Sequence, residues 1–444
     1  GSLTNLFYSG NMSIGGTGKL VMSDSINNRI MAANPGGYIL TNGAGHTIQG
    51  AGNLLFNTGG MVNKGIIIAD QPKNPLIIDP DAKGVVNRGK LIARGLGGLQ
   101  IYFGPFTTSG QVSVAAKSTL NRKGDYTQTG GVTIVNGALT ATGLIQLQGG
   151  MLKGNGTVSS VNNTGGGVAP GIAAGILHVN GNYTQGAGGR LISEIGGLTA
   201  GSQYDQLLIT GRATLFGGLT VRLAGGFVPA VGNTFTVLTA TGGISGRFDP
   251  AKIVLPVLGA NSFKIVYTAN SVVLKVVAGH PPAPTAKPIV TPEDQAAATK
   301  VFPNDPDVGN THTYAVTTAA AHGKASVNAA GLVTYTPNLN FNGMDSFVVT
   351  VTDNTGLFGT VKILVTVTPV NDPPTATSAS ITTKEDTTSA GVTPSVTDVD
   401  IATNGDTHTF TILTQPAHGS ANVIGNKLFY TPSLNYNGAD SFTY

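Results

Sequence analysis

Val62-Asn63-Lys64-Gly65, followed by Ile66-Ile67-Ile68, is written again as Val86-Asn87-Arg88-Gly89, followed by Lys90-Leu91-Ile92. Apolar runs of this length are too short for a helix, and the next run arrives too soon for a helical crossover. Asn tolerates the left-handed conformation and its amides can stack as a ladder, while Gly lets the backbone bend where a coil turns a corner. The rhythm continues outward through Lys19-Leu20-Val21-Met22, Asn53-Leu54-Leu55-Phe56 and Pro75-Leu76-Ile77-Ile78. Further along, Gly181-Asn182-Tyr183-Thr184-Gln185 echoes Gly124-Asp125-Tyr126-Thr127-Gln128. These are the ingredients of a right-handed parallel β-helix over residues 1–203, each coil stacked on the last around one continuous apolar core.

The composition fits an all-β fold. Of 444 residues, 64 are Gly and 23 Pro, none is Cys or Trp, and 10% are charged. Gly at this level without a G-X-Y period excludes collagen, and 40% hydrophobic residues are too many for a disordered linker. Without Cys there is no disulfide framework. A net charge of +4 from 25 basic and 21 acidic residues is spread without a basic stripe, so nucleic acid is not an expected partner. No window approaches the roughly 18 uninterrupted apolar residues of a membrane helix, and Gly1-Ser2-Leu3 does not open a secretion signal.

From residue 204 the alternating strands lengthen, as in Leu219-Thr220-Val221-Arg222-Leu223 and Ser271-Val272-Val273-Leu274-Lys275-Val276-Val277. The open end of a β-helix exposes backbone and core, so residues 204–278 are read as a β-rich cap. A Pro-rich spacer, residues 279–291, follows. The chain then writes one β-rich module, residues 292–372, and begins it again over 373–444. Glu293-Asp294 returns as Glu385-Asp386, Asp305-Pro306-Asp307 as Asp398-Val399-Asp400, and Thr311-His312-Thr313 as Thr407-His408-Thr409. Asn342-Gly343-Met344-Asp345-Ser346-Phe347 returns as Asn437-Gly438-Ala439-Asp440-Ser441-Phe442. Many short strands between turn signals suggest tandem Ig-like or cadherin-like sandwiches, the second incomplete.

The first part resembles the passenger regions of bacterial autotransporters and filamentous-haemagglutinin-like exoproteins. The carriers are Gly149-Gly150-Met151-Leu152-Lys153-Gly154-Asn155-Gly156-Thr157-Val158, Val168-Ala169-Pro170-Gly171, and in the cap Tyr204-Asp205-Gln206-Leu207 and Ser245-Gly246-Arg247-Phe248. In that family the corresponding region is linked to folding of the passenger, although no membrane barrel follows here. The second part resembles the cadherin-like, Ig-like tandem repeats of giant bacterial adhesins. Its carriers are Glu293-Asp294, Asp305-Pro306-Asp307, Tyr335-Thr336-Pro337, the Asn-Gly-x-Asp-Ser-Phe element, Val351-Thr352-Asp353 and Val370-Asn371-Asp372-Pro373-Pro374.

The adhesin resemblance implies Ca²⁺ at the ends of the sandwiches. Calcium takes about six to eight oxygens from carboxylates, amides, carbonyls and water. Asp305, Asp307, Asn371, Asp372, Glu385, Asp386, Asp398 and Asp400 are the candidate ligands. Asp and Asn also cap turns by bonding the local backbone, which is the expected role of Asp345 and Asp440.

Many β-helices cleave polysaccharides, which needs a facing pair of carboxylates or a base with a cationic partner. Asp70, Asp79, Asp81, Lys83, Arg88 and Lys90 form a charged cluster beside the loop Gln71-Pro72-Lys73-Asn74-Pro75, but their spacing singles out no acid and base. His312 with His408, and His322 with His418, recur with the modules and therefore read as packing or turn residues.

The expected function is non-enzymatic and extracellular: an elongated stalk or surface-contact module of a large bacterial adhesin, whose partner is a cell-surface or glycan ligand. An alternative is self-assembly into a filament or layer, in which copies of the chain exchange strands at the edge left open near Ser441-Phe442-Thr443-Tyr444. A longer polypeptide continuing past Tyr444 would explain the same edge. Polysaccharide cleavage at Asp79 or Asp81 is the third reading.

Overall fold

The computed structural model describes residues 3–34, 37–403 and 405–444, so Gly1 and Ser2 lie outside the described residues. By density of contacts the chain divides into two units. One comprises residues 1–285, 303–317 and 350–361, and the other residues 286–302, 318–349 and 362–444.

The first unit is built on a parallel β-helix whose short strands stack in three columns. One column is an 11-stranded sheet running from Lys19–Val21 through Ile66–Ala69, Lys90–Ala93 and Gln111–Val114 to Ile253–Val254. The pairing is parallel and in register, with Leu91 opposite Ile67 on one side and Val112 on the other. Period-two alternation sends every second side chain inward. In another column Leu76, Leu99, Leu120, Leu139, Val158, Val179 and Ile209 follow one another from coil to coil. All are buried, so the core is an aliphatic stack along the coils.

The Asn and Gly of the repeating corner have separate tasks. Asn42, Asn63, Asn87 and Thr108 end successive strands of the third column, all buried. Asn42 Nδ2 donates to Asn63 Oδ1 at 2.8 Å, Asn63 Nδ2 to Asn87 Oδ1 at 2.7 Å, and Asn87 Nδ2 to Thr108 Oγ1 at 3.0 Å. The His46 ring, 2.8 Å from Asn42 Oδ1, closes the near end of this ladder. Gly65 and Gly89 follow because the corners touch: a Cβ on Gly89 would lie 2.1 Å from Gly65 O, and one on Gly110 would lie 2.2 Å from Gly89 O. No larger residue fits that approach.

Farther along, Gln128 and Asn163 occupy the same rung position with Leu147 between them. An aliphatic side chain neither donates nor accepts, and Gln128 Oε1 and Asn163 Nδ2 are both buried without a hydrogen-bond partner.

Parallel coils run past residue 203. Gln206–Ile209, Ala213–Leu215 and Gly218–Leu223 each stack on the coil before, and Thr234–Ala240, Ile244–Gly246 and Ile253–Val254 stack on them in turn. The closing element is the antiparallel pair Asn261–Tyr267 and Ser271–Ala278, laid on Thr234–Ala240. The segment read as a cap is therefore two further coils and a hairpin. Strand alternation is the same in both, and only the direction of pairing separates them. Phe235, Phe263 and Phe227 meet edge to face beneath the hairpin, which keeps the last coil from exposing its core.

The later modules are antiparallel sandwiches in pattern. Ala297–Phe302, Leu332–Pro337 and Gly323–Val327 pair in one sheet. Ile289–Pro292 lies parallel to the end of Phe358–Thr368, and Ile289 and Thr291 are buried beneath it. The last three residues of the Pro-rich spacer thus belong to a strand. In the next module Gly419–Ile424 and Lys427–Pro432 form a hairpin. Among the described residues no helix is long and apolar enough to cross a membrane.

Candidate functional site

The repeated Asp-x-Asp builds the same local frame twice. In each copy the first Asp accepts the backbone N–H of the second, Asp307 to Asp305 and Asp400 to Asp398, both at 2.9 Å. Each first Asp also holds the module's histidine: His312 Nε2 lies 2.8 Å from Asp305, and His408 Nε2 lies 2.6 Å from Asp398. The second Asp accepts the N–H of the chain entering the module, from His280 to Asp307 and from Asp372 to Asp400, both at 2.6 Å. His280 and Asp372 are thereby equivalent positions.

Two differences separate the sites: Asp372 stands in place of His280, and Asp406 in place of Asn310. At the first, the His280 ring stands 3.1 Å from Asp307, and Asn310 Nδ2 reaches Asp305. Hydrogen bonds from His280 hold the Asp307 carboxyl below its ordinary range. Burial pushes Asp305 up, but bonds from Asp307 N, His312 and Asn310 outweigh it. The acids of this site are met by the protein's own donors.

At the second site the entering residue is itself an acid. Burial raises the Asp372 pKa, and the negative charges of Asp400, Asp294, Glu293 and Asp398 raise it further. Its Oδ2 is buried without a hydrogen-bond partner. One carboxylate oxygen each from Asp398, Asp400 and Asp406 lie within 4.8 Å of one another. Oxygens at that spacing can share one ion at the 2.3–2.6 Å calcium–oxygen distance. Beside them is a cavity of about 260 Å³ lined by Asn340, Asp372, Thr397 and Asp398.

Of the candidate ligands, then, Asp372, Asp398 and Asp400 come together, while Asp305 and Asp307 form the separate first site. Asn371 is exposed, with its amide donating to Asp372 O at 3.2 Å. Glu385 is exposed, and Asp386, at φ 58°, accepts Asn435 N at 2.7 Å. Asp294 does the same for Asn340 N at φ 60°. The acids that face Asp372 are Glu293 and Asp294 of the preceding module, because the opening strand of a module runs to its far end. There Glu293 N donates to Thr368 O, and Val370 N donates to Glu293 Oε1 at 2.6 Å. Asp406 completes the group from the position that Asn310 holds in the first copy, since Gly309-Asn310-Thr311-His312-Thr313 returns as Gly405-Asp406-Thr407-His408-Thr409.

Asp345 and Asp440 tie turns. Asp345 accepts Ala321 N, His322 N and the Tyr335 hydroxyl, and Asp440 accepts the matching set from Ala417, His418 and Tyr430. His322 and His418 stack on Phe341 and Tyr436. In the β-helix the charged cluster is held by local contacts. Asp70 pairs with Arg94 at 3.3 Å, and Asp81 Oδ1 accepts Lys83 N at 2.8 Å. Asp79 is raised by burial against a bond from Asn53.

Comparison with known proteins bears on the modules. The model of the bacterial Ig domain family matches residues 280–368 and again 371–444. The C-terminal part of the chain is Ig-like in fold and is similar to that family in two successive stretches. No curated protein matches the chain. Among solved structures, the human desmocollin-1 ectodomain is 17% identical, with 38% of each chain covered and a TM-score of 0.22. A protocadherin gamma B7 fragment of cadherin domains 1–4 is 12% identical over 55% of this chain and 68% of its own, at 0.23. An endo-fucoidan hydrolase of glycoside hydrolase family 107 is 17% identical over 49% of this chain and 40% of its own, at 0.19. The chain spans well under two thirds of the desmocollin and of the hydrolase, and likenesses this low carry no argument about function. The family match lies wholly within 280–444, so the resemblance of the β-helix to autotransporter and haemagglutinin exoproteins rests on its coil pattern alone.

Proposed function

We propose that the chain is a non-enzymatic stalk or surface-contact module of a bacterial cell-surface adhesin, in which Ca²⁺ joins the two Ig domains. The β-helix offers stacked backbone ladders for contact with a cell-surface or glycan ligand, and the Ig-like domains follow it in the sequence. The observation that carries the calcium reading is Asp372, whose buried carboxylate oxygen has no donor and is ringed by four other acids. A divalent, oxygen-seeking cation supplies the charge this arrangement lacks. Asp372, Asp398, Asp400 and Asp406 would hold it, with Glu293 and Asp294 behind them. The first Asp-x-Asp, hydrogen-bonded by His280, His312 and Asn310, would stay metal-free.

Thermal unfolding followed in chelator and in millimolar Ca²⁺ tests the junction. The domain transition should rise with calcium and lose that response in Asp400→Asn. Identical melting in the two buffers ends the calcium reading. Adhesion is tested by binding of the intact chain to glycan arrays and whole cells. Release of product from a polysaccharide panel that disappears in Asp79→Asn or Asp81→Asn would replace the non-enzymatic reading with the lyase or hydrolase one.

A further inference from the structure

In one column of the β-helix an inward row reads Ile78, Ile101, Arg122, Ala141 from coil to coil. Three of these suit an aliphatic core and the fourth is a cation, yet Arg122 is only 4% exposed. All its bonds go to backbone carbonyls. Nε donates to Asp125 O at 2.9 Å, one Nη to Lys123 O at 2.7 Å and to Tyr102 O, and the other Nη to Gly104 O. A buried guanidinium without a carboxylate partner is a costly way to fill a core position. What it does that an aliphatic residue cannot is tie two neighbouring corners, 102–104 and 123–125, to one rigid group. Phe103, between two of the held carbonyls, is 70% exposed.

The outer face beside these corners is a grid. Gln100 stands opposite Asn121, and Asn121 opposite Thr140. Lys123 N donates to Ile101 O and Thr142 N to Arg122 O, so Tyr102, Lys123 and Thr142 form a second row in the same register. These six side chains line a groove of about 280 Å³. Thr140 Oγ1 donates to Asn121 Oδ1 at 2.6 Å, and Thr142 Oγ1 accepts Gly124 N at 2.8 Å. Among the described residues the Gln100 amide, Asn121 Nδ2 and the Tyr102 hydroxyl are left without hydrogen-bond partners. The groove thus offers amides and hydroxyls on rungs about 4.8 Å apart, with the Tyr102 ring in its wall and Phe103 on the next residue.

We propose that this groove binds an uncharged, hydroxyl-rich oligosaccharide laid along the coils. The amides and hydroxyls bond the sugar hydroxyls and fix their orientation, and the rings of Tyr102 and Phe103 pack against the C–H face of a sugar. Corners already held by Arg122 reduce the ordering that binding requires. An acidic glycan would find one side-chain cation here, Lys123, because the guanidinium of Arg122 is turned to carbonyls. The inference rests on the adhesive reading and names the ligand class of one of its surfaces.

The probe is a printed array of neutral and acidic oligosaccharides incubated with the full chain, followed by calorimetry with the neutral oligosaccharide of highest signal. Phe103→Ala and Asn121→Ala, both folded by circular dichroism, should each weaken its binding at least about tenfold, while Lys123→Gln leaves it unchanged. An array without signal from any neutral oligosaccharide overturns the proposal, as does neutral binding that survives both substitutions. Binding of acidic oligosaccharides alone, lost in Lys123→Gln, overturns it too. In each of these cases a chain that still binds whole cells or acidic glycans keeps the adhesive reading, and one that binds neither ends both.

Discussion

Replacing Asn63 by Ala should break the amide ladder at its centre. Asn63 is fully buried and makes three side-chain bonds, accepting from Asn42 Nδ2 and donating to Asn87 Oδ1 and Lys90 O. Asn42 Nδ2 keeps a bond to Ile66 O at 3.2 Å, so its loss is that of one ordinary bond, about 1 kcal/mol. Asn87 Oδ1 has no other donor shown and is left buried and unsatisfied, at about 1–3 kcal/mol. The sum, about 2–4 kcal/mol, is a large share of the roughly 5–15 kcal/mol that holds a domain folded. Urea unfolding followed by circular dichroism, with m checked for constancy, measures it. Asn121→Ala is the control, since Asn121 only accepts an exposed bond from Thr140 Oγ1 and its loss should change stability by about 0.5 kcal/mol or less. If the two variants unfold at the same urea concentration, the ladder does not stabilise the helix and the reading of its corners is wrong.

Leu147→Gln places an amide between two unpartnered polar groups, so it should destabilise less than Leu139→Gln, where the buried amide meets only apolar neighbours, by about 2–4 kcal/mol in the same urea assay. Asp205 is 2% exposed, and burial pushes its carboxyl up to about 7 although Glu194 N and Gly175 N donate to it. Between pH of about 4 and 7 the native state keeps a proton that the unfolded chain releases, so stability should fall as pH rises through that window, by at most about 4 kcal/mol; Asp205→Asn should abolish the slope, and a slope unchanged in the variant refutes the assignment. His280→Asp with Asn310→Asp sets acids where Asp372 and Asp406 stand in the second domain, and should raise the calcium bound per chain by about one equivalent in equilibrium dialysis.

How much of this was legible in the sequence follows from what each signal encodes. Asn63 and Asn87, each two residues before a Gly, state both the stacking of amides and the close approach of corners, because those demands fall on the same residues in every coil. The length of the β-helix is not encoded in that way. Leu219–Leu223 and Ser271–Val277 alternate alike, yet one stacks in parallel and the other folds back, and alternation carries no direction. Leu55, Phe56 and Asn57 turn one corner with φ of 81°, 45° and 56°, and only the Asn hints at it. At the domain junction the Asp-x-Asp was readable because its two residues serve one local frame. The pairing of Glu293-Asp294 with Asp372 was not, since it depends on which end of a module its opening strand reaches.

The two Asp-x-Asp frames also show how little sequence separates a structural turn from a candidate metal centre. Both position an acid at the same backbone N–H, and both tie a histidine to the first Asp. What differs is the residue before the repeated Thr-His-Thr, Asn310 in the first copy and Asp406 in the second, and the side chain on that N–H. A histidine there donates into the frame and leaves no oxygen wanting, and the site is complete as folded. An aspartate adds an acceptor where acceptors already crowd, and the excess is visible both in its raised pKa and in an oxygen without a donor. Buried excess charge of one sign is costly unless something neutralises it. A proton or a cation would relieve that excess, and calcium sensitivity confined to the second junction is the outcome by which the proposed reading is judged.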